Sequence, residues 1–492
     1  MGGGYIQLSA TGAQDVYLVG NPQITFFKAV YRHHTNFSMD WVQQTIYGTP
    51  NFGQSFDAIV SKSGDLLSGA YLEIDLPDFT AGGSIISTNH TYTSVATPGV
   101  ALASISVSYA NWCNGVGYAI IKEVDVTIGD QLIDRQTGEW MCIENQLKNN
   151  VGAHETAYFH TIGYGSNDNG LYNDAGDRFR TYVGSNNLMV DQTKNMTGIP
   201  STNDTGTGQT DKTQVQVPLN FWFCNNLGLA VPIISLPHTN ITFNFTLREF
   251  HELYVTNKKK VTAPSSGLGV DNVKLWCQYI YLDNMERMKF SEGKHEYLIE
   301  QVQSTTKGIS ITDTGLIDFP LYFNHPIKTL YWVNHMAEYI KAATGASNPI
   351  NYPAYWSTST IGPGKNDWFN FTNVPTTPTR PHGTHAFDTA QIIVNNEART
   401  AMHSAMFYSK TEPQMRYKNV PFSNYVYMYS FSSNPSEFQP SGSFNFSRLD
   451  NAAIRMNIAK TTSTYERQIN IYAKNYNVLR INSGNSGLAF LS

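Results

Sequence analysis

Histidines, cysteines and paired carboxylates are the residues of this chain that could do chemistry, and their spacing decides what is available. His33 and His34 are adjacent, so on an extended backbone they point to opposite faces and cannot grip one ion together. His382 and His385 lie three apart in a Pro/Gly stretch, and neither pair gives the His-x-His of a cupin metal site. His154-Glu155 and His251-Glu252 begin like a zinc-protease helix motif but lack its second histidine. Gly362-Pro-Gly-Lys365 lacks the earlier glycine and the following Ser or Thr of a phosphate loop, and reads as a turn. Glu139 and Glu144, near Trp140, are a carboxylate pair of the kind glycosidases use, yet they read as ordinary members of a short rim segment. No Gly-x-Ser-x-Gly nucleophile elbow is present. The sequence therefore assigns no catalytic, cofactor-binding or metal-ligating residue, and the chain reads as non-enzymatic.

Composition points to a packed protein with an unusually neutral surface. Hydrophobic residues make up 41% of the 492 positions, ample for a core. Charged residues are only 14%, against about 25% in ordinary soluble proteins. A polar, weakly charged surface with net charge −5 repels its own copies weakly and suits repeated self-packing. It does not suit nucleic acid: there is no basic arm, and Lys258-Lys-Lys260 reads as a solvated turn. Cys113, Cys142, Cys224 and Cys277 have no zinc or redox spacing and sit among apolar neighbours, as reduced core thiols do. The most apolar run, Leu227 to Leu236, contains Pro232 and falls far short of the ~20 residues of a membrane span. The residues from Met1 to Tyr5 lack the basic and apolar regions of a secretory signal, so none is expected.

The elements that must position any site are strands. Met39 to Ile46, Leu67 to Leu76, Ile120 to Ile128, Asn220 to Cys224, Thr239 to Leu247 and Val273 to Leu282 form a first series. A short amphipathic helix, capped by Asp283 and running to Phe290, marks a junction. Beyond it Glu296 to Gln303, Phe319 to Phe323, Thr329 to Val333, Ala390 to Val394, Tyr425 to Phe431, Asn451 to Ile458 and Gln468 to Ile481 form a second series. The two series superpose in outline: Val124 to Ile128 parallels Gln391 to Val394, Pro218 to Phe223 parallels Tyr425 to Phe431, and Thr239 to Leu247 parallels Asn451 to Ile458. Each carries a long insertion, Asn149 to Gln214 and Ala342 to His385, whose Gly, Pro and Asn content cannot continue a ladder. Tyr425, Tyr427, Tyr429 and Phe431 share one strand face, with bulk to fill a sandwich interior. Without crossover helices, the pattern predicts two antiparallel sandwiches in tandem.

Near the carboxyl end, Phe438-Gln-Pro-Ser-Gly-Ser-Phe-Asn-Phe-Ser-Arg448 and Tyr472-Ala-Lys-Asn-Tyr-Asn-Val-Leu-Arg-Ile481 both read as strands that form a pair. Near the amino end, Gly20-Asn-Pro-Gln-Ile-Thr-Phe-Phe-Lys28 runs into Val30-Tyr-Arg-His-His-Thr-Asn-Phe37. Between them stand Ala70-Tyr-Leu-Glu-Ile74, Ile133-Asp-Arg-Gln136 with Trp140, Pro218-Leu-Asn-Phe-Trp-Phe223, His295-Glu-Tyr-Leu-Ile-Glu300 and Leu321-Tyr-Phe-Asn-His-Pro326. In type and order these stretches closely resemble the landmarks of the major capsid proteins of nucleocytoplasmic large DNA viruses, across nearly the whole chain. Two departures are local: His33 stands where relatives commonly carry a second Arg, and Asn482-Ser-Gly484 is less glycine-rich than usual.

The resemblance implies an all-β fold of two tandem eight-stranded antiparallel jelly rolls with short helices and long loops. The expected division is an amino-terminal arm over 1–24, a first jelly roll over 25–283, a linker with a short helix over 284–296 and a second jelly roll over 297–492. It implies a structural shell protein of the virion, assembled in the host cytoplasm as a homotrimeric, pseudo-hexagonal capsomer. Its expected partners are its own copies, first within a trimer and then laterally between trimers, together with minor capsid or inner-layer proteins. No direct nucleic-acid contact is expected, and an internal viral membrane would be near but not spanned. The two insertions are expected outside, and Met1 to Phe37 inside as a tether with a short helix over Thr25 to Arg32. The rival reading from another class is a carbohydrate-binding β-sandwich, suggested by the abundant Tyr, Trp and Asn.

Overall fold

The computed structural model of the chain describes residues 3–10, 12–77, 79–85, 110–113, 115–148, 208–210, 213–256, 258–262, 273–336, 368–369, 371, 373, 385–417, 425–458, 466–482 and 484–490. These fall into two compact units, Met1–Phe37 and Ser38–Ser492. The first contains helices Gly3–Ser9 and Val16–Val19. The helix expected over residues 25–32 is absent: that stretch is turn and irregular chain. Thr25, Phe26, Phe27, Val30 and Tyr31 are β-branched or aromatic, which lose rotamer freedom in a helix, and no cap precedes them.

The second unit holds two sandwiches built on one plan. In the first, β1 is Phe37–Tyr47, β2 Ser55–Ile59, β3 Leu66–Leu76, β4 Ile121–Ile128, β5 Gln131–Gln136, β6 Thr213–Pro218, β7 Ile241–Leu247 and β8 Val273–Leu282. Strands β1-β8-β3-β6 form one layer and β2-β7-β4-β5 the facing one; β1 also pairs with β2, Tyr47 opposite Asp57, so the two layers are one continuous sheet, with Val231–Pro232 added beside β3. In the second, β9 is His295–Ile309, β10 Gly315–Pro320, β11 Pro326–Met336, β12 Phe387–Val394, β13 Glu397–Ala398, β14 Tyr427–Ser430, β15 Ala452–Ile458 and β16 Arg467–Asn482. Its layers run β9-β16-β11-β14 and β10-β15-β12-β13, the same strand order again but as two separate sheets, extended by Phe444–Asn445 on β11, Asn485–Leu488 on β16 and His403–Ser404 on β12. This is jelly-roll connectivity, all antiparallel and repeated in tandem.

Local sequence explains the repeat. In both β7 and β15 every second residue is buried: Phe243 and Phe245 face inward opposite Val126 and Val124, and Ile454 and Met456 opposite Ile392 and Ala390. The equivalent hairpins turn differently. After β4 the turn uses Gly129 at φ 63°, whereas after β12 Asn395 and Asn396 adopt φ 50° and 66°, the paired left-handed conformation of a two-residue hairpin turn. Tyr427, Tyr429 and Phe431 fill the second core as the alternation predicts. The intervening Val426 and Met428 are buried as well, in the cluster that joins the first core to Tyr331, Tyr417 and Tyr472, and Tyr425 packs on that cluster too.

Several sequence-based expectations need correction. Asn220 to Cys224 is not a strand: β6 ends at Pro218, and Trp222–Asn225 is a single helical turn. A strand would have sent Trp222 to the face opposite Phe221 and Phe223, yet all three are buried, with Phe221 and Phe223 stacked at 5.9 Å. The Phe438 to Arg448 run yields only the two-residue strand Phe444–Asn445 and a 3₁₀ turn, Phe446–Arg448, because the Asn445 side chain accepts the Ser447 amide and ends the ladder. It does not pair with the Tyr472 to Ile481 run; both instead pair with β11. Lys258-Lys-Lys260 lies in a strand, Lys258–Thr262, paired with Phe79–Ile85. Apart from 208–210, 213–214, 368–369, 371, 373 and 385, the two long insertions lie outside the described residues.

Helix α1, Gly138–Lys148, leaves β5 after a single residue, and its first position tolerates no side chain. A Cβ on Gly138 would lie 1.9 Å from the Tyr118 carbonyl oxygen and 2.6 Å from that of Ile121, both backbone atoms that cannot swing aside. Gly138→Ala should therefore destabilise the protein by about 3 kcal/mol through overpacking. Thermal unfolding checks this, and an unchanged midpoint would show that the contact can relax.

Candidate functional site

The most unusual chemistry of the molecule lies where the two sandwiches meet. Helix α1 rests on the outer face of the β9-β16-β11-β14 sheet, and Trp140 is its wedge. The indole is fully buried, with ring centroids 5.2 Å from Tyr331 on β11 and 5.5 Å from Tyr472 on β16. Tyr331 and Tyr472 are themselves cross-strand partners, so the wedge sits over one aromatic pair. The Tyr331 hydroxyl is 2.6 Å from that of Tyr417.

Around this wedge the interface is ionic. Glu139 Oε2 meets His335 Nε2 at 2.7 Å and also accepts from Asn470 Nδ2. One turn further on, Glu144 Oε1 takes Lys474 Nζ at 2.7 Å and Lys148 Nζ at 2.7 Å. Lys474 reaches on to Glu300 Oε2 at 2.6 Å, and Glu300 Oε1 binds Lys328 Nζ at 2.5 Å. Lys328 also donates to the Glu437 carbonyl at 2.7 Å. The chain of contacts thus runs from α1 through β16 and β9 to β11, joining both halves. Beside it, Asp134 of β5 accepts the Val302 amide at 3.0 Å, and Gln301 donates to the Ile133 carbonyl. The Arg248 guanidinium lies 3.9 Å over the Trp368 ring, whose Nε1 donates to the Glu252 carbonyl.

Partners decide the ionisation of each buried group. Burial pushes the Glu144 carboxyl up, but the Lys148 and Lys474 ammoniums outweigh it and hold the group at about 2. Glu300 and Glu139 are lowered in the same way, against burial, by Lys474 with Lys328 and by His335 respectively. Burial lowers Lys474, yet Glu144 and Glu300 together lift it well above the ordinary range. Among the described residues no cation meets Asp134, and burial drives its carboxyl up to about 7 despite its hydrogen bonds.

The sequence-based candidates separate cleanly here. Glu139 and Glu144 are not rim residues but the centre of the seam, each bound to a basic group rather than poised around a substrate. His385 is half-buried, with Nδ1 3.1 Å from the Tyr427 hydroxyl. Glu252 closes a capping box with Glu249 on a short 3₁₀ turn. His33 and His34 lie in the amino-terminal unit; His154, His382 and Gly362 to Lys365 lie outside the described residues. Among the described residues no His, Cys, Asp or Glu cluster could hold a metal ion, and no helix is long and apolar enough to cross a membrane. Sequence reasoning missed Lys328, Lys474, Glu300 and His335. For Lys328, His335 and Lys474 the one signal is a charge or imidazole inside a strand rich in apolar and aromatic residues, as in Ile471-Tyr-Ala-Lys474; Glu300, in the polar run Glu300-Gln-Val-Gln303, gives none.

Comparison with known proteins agrees with this architecture. Residues 25–283 match a family described as major capsid protein N-terminus, and residues 286–487 one described as large eukaryotic DNA virus major capsid protein. The major capsid protein of Pyramimonas orientalis virus is 32% identical over the full length of both chains. That of Paramecium bursaria Chlorella virus 1 is 31% identical, again over the full length of both. Among solved structures, the chain in a quasi-atomic model of the PBCV-1 virus capsid superposes with a TM-score of 0.61 at 26% identity, covering 95% of this chain and 100% of that one. The Faustovirus major capsid protein shares the fold, with a TM-score of 0.66 at 13% identity, covering 96% and 94%.

Two predictions follow from the seam. Lys474→Met leaves Glu144 and Glu300 buried with a cation fewer, and should cost about 3–5 kcal/mol, read as a lower unfolding midpoint. The pH dependence has two opposed parts. Glu144 is lowered on folding, so its stabilisation is complete above its unfolded value of about 4.3 and is lost as pH falls through about 2. Asp134 is raised, so its contribution is complete below about 3.9 and is lost as pH rises through about 7. Asp134→Asn keeps an acceptor for Val302, and its stability relative to the unchanged protein should improve between pH 5 and pH 8. A difference that stays constant with pH would place the Asp134 charge in water.

Proposed function

The chain belongs to the major capsid proteins of large eukaryotic DNA viruses, a structural component of the virion shell, and from that premise we propose how it builds the shell. Three copies associate as a homotrimer, so that six sandwiches of one topology form a pseudo-hexagonal capsomer. The observation that supports this most strongly is the seam. Two sandwiches of identical sheet order are held by buried ion pairs in one arrangement, so each chain supplies two of six similar corners at a fixed angle. Cyclic closure then needs only one further kind of contact, made between chains.

Trimers tile through weaker lateral contacts, which suits a surface with 14% charged residues and net charge −5, because misplaced units can detach and anneal. The chain works without catalysis or cofactor, consistent with relatives named as capsid proteins. Its domains divide as an arm over 1–24, a first jelly roll over 25–283, a linker over 284–296 and a second jelly roll over 297–492. The two insertions form the outer surface. The arm faces minor capsid or inner-layer proteins above an internal membrane that the chain does not span, with no direct contact to the genome. Assembly takes place in the host cytoplasm.

Mass photometry of the purified protein should give particles of three times the 54.9 kDa chain mass. Monomers alone would refute the capsomer. Removing residues Met1 to Ile24 should leave folded trimers that no longer assemble into shells; loss of the trimer itself would place the arm within the capsomer.

A further inference from the structure

The internal repeat carries information beyond the fold, because the same sheet face is buried in one sandwich and open in the other. On β16 and β11 the cross-strand pair Tyr472 and Tyr331 lies under Trp140 of α1. The equivalent strands of the first sandwich are β8 and β3, and their equivalent pair is Trp276 and Tyr71, directly opposite each other in register. Their rings stack at 6.2 Å, and Trp41 of β1 adds an edge contact to Tyr71 at 5.0 Å. This aromatic face is only partly covered. Trp41 is 40% exposed, and Tyr71 and Trp276 are half-buried, although the corresponding tyrosines of the second sandwich are sealed.

The covering element is duplicated too, with the opposite fate. In the first sandwich the chain leaves β5 directly into α1, which is almost wholly buried. In the second, the chain passes β13 and the two-residue strand His403–Ser404 and enters the helical segment 405–416. Tyr408 and Glu412 anchor that segment to its own sandwich, but its exposed surface carries Met406 at 62% and Met415 at 71%, and Met402, also exposed, precedes it just before His403–Ser404. Methionine is the side chain best able to fit an irregular aromatic surface, and its sulfur gains about 0.3–1.5 kcal/mol against a ring edge. An open aromatic face and an open methionine face therefore stand at the two positions that, within the chain, are occupied by each other's counterparts.

We propose that the Trp41, Tyr71 and Trp276 face of one chain is capped by the Met402, Met406 and Met415 face of a second copy, repeating between chains the contact that α1 makes within one. The contact is heterologous, aromatic face to methionine face, so it leaves one free face of each kind on a pair of chains and closes only as a ring. Alternating with the intrachain seam, it supplies the second of two similar joints between successive sandwiches. The inference rests on the trimeric reading above and names the surfaces that reading leaves open.

Trp41→Lys and Met406→Glu are both outward substitutions, so each variant should keep the thermal midpoint and near-ultraviolet spectrum of a folded chain. Mass photometry of each alone should show trimers depleted at least tenfold in favour of monomer. An equimolar mixture still offers one intact contact, between the aromatic face of the Met406→Glu chain and the methionine face of the Trp41→Lys chain, and should form heterodimers of twice the chain mass. If the unchanged protein is itself monomeric, the trimeric reading fails and the inference with it. If the unchanged protein is trimeric and both variants remain so, these faces are not the joint and the inference alone is overturned. In that case binding of a glycan panel by the unchanged protein, lost on Trp41→Lys, would assign the aromatic face to carbohydrate. If only Trp41→Lys dissociates the trimer, the methionine face is not its partner and the proposal is equally overturned.

Discussion

Buried charge must be answered by buried charge, and that constraint organises this molecule. Glu144 and Glu300 sit between three lysines, largely shielded from water, in a contact that contains strands of one sandwich and helix α1 of the other. Net stability is a weak reason for such a network, since apolar residues of similar volume often serve as well or better. Geometry is a stronger one. Sliding α1 by one turn would separate Glu144 from Lys474 and leave both desolvated, so misdocked arrangements are penalised far more than the correct one is favoured. Trp140 over Tyr331 and Tyr472 supplies the apolar burial, and the ions supply the register.

A shell protein needs this kind of selectivity. Errors in the angle between two sandwiches accumulate around a ring and then across a lattice, whereas an error within one sandwich stays local. The structure places its most exacting chemistry between the sandwiches. Their cores are filled by ordinary means: alternating apolar residues in β7 and β15, stacked phenylalanines in the first and a Trp332, Tyr408 and Tyr427 cluster in the second.

Much of the fold was legible because its signals are periodic. The alternation of β7 and β15 and the Asp283 cap, which accepts the Glu286 amide, appear where one-dimensional patterns put them. Failures fell where a contact distant in sequence overrides local preference. Phe221, Trp222 and Phe223 read as a strand, yet all three had to be buried at once. Phe444 to Ser447 alternates well enough for a strand, yet the Asn445 cap turned it. Glu139 and Glu144 read as ordinary acids of a short rim segment because their partners, His335 and Lys474, lie nearly 200 and more than 300 residues away. No spacing rule reaches that far.

The seam makes two sandwiches one mechanical unit, and hydrogen exchange reads whether they open as one. Amides of α1 and of the β16 and β11 strands it covers should open together, with one common free energy equal to that of global unfolding. Exchange of α1 at a distinctly lower free energy, while β16 and β11 stay protected, would mean that the helix lifts away freely. The two sandwiches would then be linked rather than welded.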